Sequence, residues 1–123
     1  MSDEKLLMEN AHQKLKASEK LLENEFYADA LSRAYYAMFF AARALLSQQN
    51  IYPKTHRGLI SQFGLELVKN RNFNKDLFNL MVRAQEDREE ADYGLYVDIS
   101  KEETVFIIEG AKNFLKECES FLV

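Results

Sequence analysis

The chain has 123 residues, a formal net charge of −4 and a single cysteine, Cys118. This length predicts one domain, residues 1–123, with its own hydrophobic core and no room for a second domain. The acidic balance argues against a broadly basic nucleic-acid surface, and one cysteine excludes an intramolecular disulfide. The acidic, polar N-terminus and the lack of a long uncharged segment predict a cytoplasmic protein with no signal peptide and no membrane association.

The first two predicted helices differ sharply in character. An amphipathic helix runs from about Asp3 to Glu23, and the most apolar segment of the chain, SRAYYAMFFAARALL, follows at residues 32–46. This segment has no Gly, Pro or β-branched residue and predicts a second helix over about residues 26–49. A helix that is apolar all round is buried all round. We therefore expect its second apolar side to contact a second copy, a partner or a ligand; this side consists of Tyr36, Phe39, Phe40 and Arg43.

Three shorter signals place the remaining helices. A joint at residues 50–54, which contains the only proline, ends the second helix, and Thr55 is the predicted N-cap of a short third helix. Asn74 is the predicted cap of a fourth helix, and Gly94 is its stop signal. The sequence SKEE from Ser100 is a capping box that begins a fifth helix. Short turns imply antiparallel neighbours, so we expect an all-α, up-and-down antiparallel four-helix bundle with an additional short helix.

Arg88 is the most informative polar residue. It falls on the apolar stripe of the fourth helix, where a guanidinium group is unfavourable unless it is paired, and Asp92 lies one turn further on. Two interpretations stay open: an Arg–Asp pair that closes the end of the bundle, or a preorganised cation for a phosphate. No glycine-rich phosphate loop and no metal-ligand motif occurs in the sequence, so we predict no metal and no cofactor.

Two further polar features lie on the second and third helices. The sequence THRG, which contains His56 and Arg57, begins the third helix, where free backbone N–H groups favour an anion. It is equally explained as a helix cap with a packed histidine. Tyr35 is expected at the edge of the core, where its hydroxyl needs a partner, and Tyr36 belongs to the second apolar side. The tyrosine pair is also explained by core and interface packing.

Three motifs in this order resemble the small stand-alone HEPN proteins: SRAYYAMFFAARALL, then THRGLISQF, then REEADY, which begins at Arg88. The resemblance implies a helical bundle that forms homodimers. It also implies a gene partner, a minimal nucleotidyltransferase, in a toxin–antitoxin or nucleotide-handling system. A nucleotide- or RNA-binding role belongs to the same expectation, and many members of the family are metal-independent ribonucleases.

The chain departs from the family's ribonuclease motif, an Arg followed closely by a His. Arg88 matches the arginine, but the residues after it include no His. The remaining catalytic candidates are Arg88, Asp92, Tyr93 and His56. Asp92 is too acidic and Tyr93 too basic for proton transfer near neutrality unless their pKa values are strongly shifted. His56 can substitute only if folding brings it beside Arg88.

We therefore predict a dimeric HEPN protein that binds a nucleotide or RNA and acts as a regulatory module with a nucleotidyltransferase. The alternative is a divergent metal-independent ribonuclease that uses Arg88 with Asp92, Tyr93 or His56. A third possibility is a dimeric helical protein whose arginine is purely structural. The expected ligand-binding residues are Arg88, His56, Arg57 and Tyr36. The expected dimer interface is the second apolar side, Tyr36, Phe39, Phe40 and Arg43.

Overall fold

The computed structural model of the protein describes residues 3–93 and 98–122. Within these ranges the chain forms no strand and five α-helices: α1 (Asp3–Glu23), α2 (Tyr27–Ser47), α3 (His56–Phe63), α4 (Lys75–Tyr93) and α5 (Lys101–Phe121). A π-helical segment, Gly64–Lys69, directly continues α3, and the sequence did not predict it. The all-α fold is confirmed. The predicted stop signal Gly94 lies outside the described residues.

Contacts near the helix ends define the directions of the four long helices. Three hydrogen bonds are informative: Ser47 to the Glu4 carboxylate (3.4 Å), Thr104 to the Tyr27 carbonyl (3.3 Å), and the Asn74 backbone N–H to the Glu117 carboxylate (3.0 Å). They join the start of α1 to the end of α2, the starts of α2 and α5, and the start of α4 to the end of α5. Helices α1 and α4 therefore run opposite to α2 and α5, which is the predicted up-and-down bundle.

The predicted N-caps are all formed. Side-chain oxygens accept backbone N–H groups three residues further on: Thr55 from Gly58 (2.9 Å), Asn74 from Leu77 (3.0 Å) and Ser100 from Glu103 (3.0 Å). Each bond satisfies a donor in the first turn that has no partner inside its own helix. The reciprocal half of the predicted capping box is absent from the described contacts, because the Glu103 carboxylate pairs with Arg83 on α4.

The ends of α1 and α2 share one backbone geometry. Glu25 and Asn50 both have positive φ, 64° and 60°. In each case the backbone N–H of the positive-φ residue donates to the carbonyl three residues earlier. The backbone N–H of the following residue donates to the carbonyl five residues earlier, and all four bonds are 2.9–3.0 Å long. This is the Schellman arrangement that ends a helix and turns the chain. Asn tolerates this conformation better than Glu, because its short polar side chain can bond locally.

Helix α2 is the central element of the bundle. It contacts each of the other four α-helices, and its small residues allow their backbones to approach closely. Twelve of its residues are buried, among them Tyr35 and six alanines: Ala30, Ala34, Ala37, Ala41, Ala42 and Ala44. Among the described residues, no helix has both the length and the apolarity needed to cross a membrane.

The second apolar side of α2 is covered by its own chain more than the sequence predicted. Tyr36, Phe39 and Phe40 are half-buried, and only Arg43 is exposed. The His56 ring on α3 lies 4.5 Å from the Phe39 ring centroid and 5.8 Å from that of Tyr36. The second apolar side is therefore less exposed than the sequence predicted, because the short third helix packs over part of it. The homodimer stays a prediction.

Candidate functional site

Arg88 lies on the inward side of α4, and its side chain is only 11% exposed. Its Nη1 donates to the Asp92 carboxylate at 2.8 Å, and its Nε donates to Oε1 of the Gln85 side chain at 3.3 Å. The guanidinium carbon is 5.3 Å from the ring centroid of Tyr35 and 5.5 Å from that of Tyr36. Both distances lie in the range of cation–π interactions. The predicted pairing of Arg88 with Asp92 is confirmed.

One part of the guanidinium group is unused. Nε and Nη1 have hydrogen-bond partners, whereas Nη2 of Arg88 has none among the described residues. Three of the five N–H groups, one on Nη1 and both on Nη2, therefore have no partner among the described residues, on a planar group that is already held by four neighbours. A charged donor of this kind forms its strongest hydrogen bonds with carboxylate and phosphate oxygens.

His56 joins the same cluster from α3. Its Nδ1 and the Tyr35 hydroxyl are hydrogen-bonded at 2.8 Å, and its ring stacks on Phe39. Burial lowers the pKa of His56, and the positive charge of Arg88 lowers it further; the Gln85 side chain and the Glu89 charge partly offset both effects. The imidazole is therefore neutral at pH 7. His56 and Arg88 both contact the rings of Tyr35 and Tyr36, so folding brings them into one cluster, as the sequence-based condition required.

Tyr35 connects the two residues. Its side chain is fully buried, and burial raises the pKa of its hydroxyl well above the usual range, although the Arg88 charge acts in the opposite direction. The hydroxyl consequently stays protonated at any physiological pH. The expectation that this hydroxyl needs a partner at the edge of the core is confirmed, and the partner is His56. We call the group of Tyr35, Tyr36, His56, Gln85 and Arg88 the Arg88–His56 cluster.

Other predicted residues are placed less favourably. Tyr93 is 82% exposed and lines a surface pocket with Glu86, Glu89 and Glu90 rather than the cluster. It therefore loses support as a catalytic partner of Arg88. Asp92 is already occupied by its bond to Arg88, and Arg57 is exposed.

The sequence did not single out Gln85. Its side chain is buried, accepts a hydrogen bond from Arg88 and donates one to Glu89 at 2.6 Å. The available signal was an amide on the apolar stripe of the fourth helix, one turn before Arg88. Across residues 3–93 and 98–122, no group of three or more His, Cys, Asp or Glu side chains is arranged to hold a metal ion.

A second arginine on α4, Arg83, provides a comparison. It pairs with Glu103 on α5 and stacks on the Phe106 ring at 4.7 Å, but its side chain is 53% exposed. Beside this pair, burial and the Glu103 carboxylate raise the pKa of Asp87 to about 7. The Oδ2 atom of Asp87 is buried and has no hydrogen-bond partner among the described residues. Arg83 thus shares the pairing and stacking of Arg88 but has neither its burial nor a neighbouring histidine.

The geometry can be compared with known proteins. The family model of the HEPN domain matches residues 4–121. The chain belongs to the HEPN family. The resemblance carried by the three sequence motifs is therefore confirmed, and the match extends over nearly all of this HEPN chain.

Curated relatives agree with this assignment. A Methanocaldococcus jannaschii protein named "Putative toxin MJ0142" is 37% identical over 117 residues, which are 95% of this chain and 80% of that protein. A UPF0332 protein of Archaeoglobus fulgidus is 32% identical over 98% of this chain and 95% of its own length. A UPF0332 protein of Thermotoga maritima is 34% identical over 83% of this chain and 77% of its own length. One of these three relatives thus carries the name "Putative toxin".

Proposed function

We propose that this HEPN protein binds the phosphate of a nucleotide or RNA at the Arg88–His56 cluster, as a homodimer that works with a nucleotidyltransferase in a toxin–antitoxin-like pair. One observation carries the binding proposal: two hydrogen bonds and two tyrosine rings hold Arg88, and its Nη2 has no partner among the described residues. A group already held in place loses little conformational entropy when a ligand binds. The two N–H groups of Nη2 suit a phosphate oxygen.

The binding test compares two arginines of the same helix. A short fluorescent single-stranded RNA is titrated with wild type, with Arg88→Met and with Arg83→Met, and AMP is added as a competitor. Loss of a charged hydrogen bond predicts that Arg88→Met weakens binding by about tenfold or more. Arg83→Met removes an equal charge from α4 and should leave affinity close to wild type. Unchanged affinity in a folded Arg88→Met protein would reject the binding role and leave Arg88 as a structural residue.

The dimer is proposed on the half-buried aromatic residues that α3 does not fully cover. Phe40 and the exposed Arg43 lie together on α2, with the Arg43 guanidinium 6.0 Å from the Phe40 ring centroid. A two-fold interface would bury the same patch from both copies. The control is Leu65, an exposed apolar residue of the π-helical segment. Sedimentation equilibrium at micromolar concentration should show a dimer for wild type and for Leu65→Glu, but a monomer for Phe40→Glu. A monomeric wild type contradicts the proposal.

The proposed partner follows from the family and from the relative that is named "Putative toxin MJ0142". Its test is genomic and biochemical. We expect a nucleotidyltransferase gene beside this one, and co-purification of the two proteins when they are expressed together. An unrelated neighbouring gene, with no complex to a nucleotidyltransferase, would remove this part of the proposal and leave phosphate binding untouched.

A ribonuclease is the second candidate, and one observation favours it: folding brings His56 and Arg88 against the same two rings, those of Tyr35 and Tyr36. Metal-independent RNA cleavage needs a group that accepts a proton from the 2′-hydroxyl and another that protonates the leaving oxygen. His56 is the one described imidazole near Arg88, so it would have to serve both roles. We expect little cleavage of a fluorogenic RNA in EDTA. Strong cleavage by wild type that both Arg88→Ala and His56→Ala abolish would replace the binding proposal.

A further inference from the structure

We propose that Tyr35 is a positioning residue that holds the proton of His56 on Nε2, so that His56 presents a neutral N–H donor beside Arg88. The inference about the proton rests on the geometry of the cluster alone. The purpose of this Nε2–H donor, to bind the same anion as Arg88, rests on the proposed function. The two parts can therefore fail separately.

The buried hydroxyl of Tyr35 restricts where the proton of His56 can lie. Tyr35 is fully buried, and His56 Nδ1 is the only hydrogen-bond partner that its hydroxyl has among the described residues. If Nδ1 carried the proton, it would donate to the hydroxyl oxygen, and the hydroxyl hydrogen would then be buried without an acceptor. If the hydroxyl donates to an unprotonated Nδ1, both atoms are satisfied. A phenol is also a better donor than acceptor, so the second arrangement is favoured.

The neighbouring charges favour the same arrangement. The Arg88 guanidinium lies 5.3 Å from the Tyr35 ring centroid, where its positive charge strengthens the hydroxyl as a donor. The same charge disfavours a second proton on His56. Glu89 opposes this effect from α4, but it is already bonded to Gln85. In a doubly protonated imidazole, Nδ1–H would also face the Tyr35 hydroxyl, so the hydroxyl could no longer donate to Nδ1. The imidazole therefore stays neutral, with its one proton on Nε2.

This proton position decides what the cluster can do. Nε2–H of His56 is a donor, and so is Nη2 of Arg88, which has no partner among the described residues. In the proposed site, one anion with two or more acceptor oxygens, such as a phosphate, accepts from both. A general base needs an unprotonated nitrogen that faces the substrate. Nδ1 is occupied by Tyr35, and Nε2 already carries a proton. The cluster therefore binds a phosphate group without activating a neighbouring 2′-hydroxyl.

The imidazole nitrogens report the proton directly. We would record long-range ¹H–¹⁵N spectra of the ¹⁵N-labelled full chain at pH 8. His12 is the internal control, because it is exposed and its Nε2 lies 3.2 Å from the Glu119 carboxylate rather than beside a tyrosine. We expect His56 to show an unprotonated Nδ1 and a protonated Nε2. A protonated Nδ1, or an even mixture of the two forms, overturns the inference.

A matched pair of variants isolates the hydroxyl. Tyr35→Phe keeps the ring under Arg88 and removes the hydroxyl, so the His56 signals should move toward a mixture of both forms. Tyr36→Phe removes a neighbouring hydroxyl that has no bond to His56 among the described contacts, and it should leave the signals unchanged. An unchanged His56 spectrum in Tyr35→Phe overturns the inference. If Tyr35→Phe does not fold, the wild-type spectrum alone decides.

Inorganic phosphate separates this inference from the proposed function. Titration should shift the Nε2–H signal of His56 in wild type, and Tyr35→Phe should weaken the apparent affinity by about fivefold, as expected for one displaced hydrogen bond. Arg88→Met should abolish the shift. A protonated Nε2 without any response to phosphate supports the role of Tyr35 and rejects the binding function. A phosphate response in a protein whose Nδ1 is protonated supports the binding function and rejects the role of Tyr35.

Discussion

The stability of Arg88 variants should depend on the shape of the replacement more than on the lost charge. The ion pair with Asp92 is open to solvent on one side, since Asp92 is 44% exposed, and an i,i+4 pair of this kind contributes about 0.3–0.5 kcal/mol. The two stacking contacts with Tyr35 and Tyr36 add roughly 0.5–1 kcal/mol each. Methionine keeps the buried stem and offers sulfur–aromatic contacts of roughly 0.3–1.5 kcal/mol.

These terms nearly cancel in Arg88→Met, which should change the free energy of unfolding by less than about 1 kcal/mol. Arg88→Ala loses the same polar contacts and also about two buried methylene groups, Cγ and Cδ, at about 0.8 kcal/mol each. We therefore expect Arg88→Ala to be about 2 kcal/mol less stable than Arg88→Met. The difference reflects packing, because both variants lack the charge.

Urea denaturation followed by far-ultraviolet circular dichroism measures this difference. With a slope of about 1–3 kcal/mol per molar urea, the two midpoints should lie about 1 M apart. The control pair is Arg83→Met and Arg83→Ala, whose midpoints should be much closer together because half of that side chain is in solvent. Equal destabilisation by Arg88→Met and Arg88→Ala would refute the reasoning. It would show that the guanidinium charge, and not its stem, holds α4 against α2.

Two further predictions concern other parts of the bundle. Burial is the main reason that the pKa of Asp87 is raised to about 7. Between pH ~4 and ~7 the folded protein therefore binds a proton that the unfolded chain releases. The free energy of unfolding falls as pH rises through that window. Asp87→Asn should flatten this part of a plot of urea midpoint against pH; an unchanged slope would exclude Asp87 as the cause. Glu25→Gly should stabilise the protein by about 1 kcal/mol, because Glu25 has a φ of 64° and loses only a weak 3.4 Å bond from Tyr27. Asn50→Gly is the matched comparison and should gain less; a thermal melt that shows no gain for Glu25→Gly contradicts the strain argument.

The sequence by itself determined the features that depend on a few neighbouring residues. The caps at Thr55, Asn74 and Ser100 each need one side chain and a backbone N–H three residues away, so the local sequence contains all that they require. The bond between Arg88 and Asp92 is equally local, since it joins residues one helical turn apart. The periodic apolar residues predicted the bundle for a related reason, because an amphipathic helix must bury its stripe against another helix.

The tertiary structure decided which side chains meet across helices. Tyr35 and His56 are 21 residues apart, and their bond exists only because the short third helix packs back over α2. The same packing covers part of the second apolar side, which the sequence had left open for a partner. Periodicity shows which face of a helix is buried, but not which neighbour buries it or at what height along the axis. The placement of His56 and Arg88 in one cluster, and with it the chemistry of that cluster, is therefore set by the closed bundle.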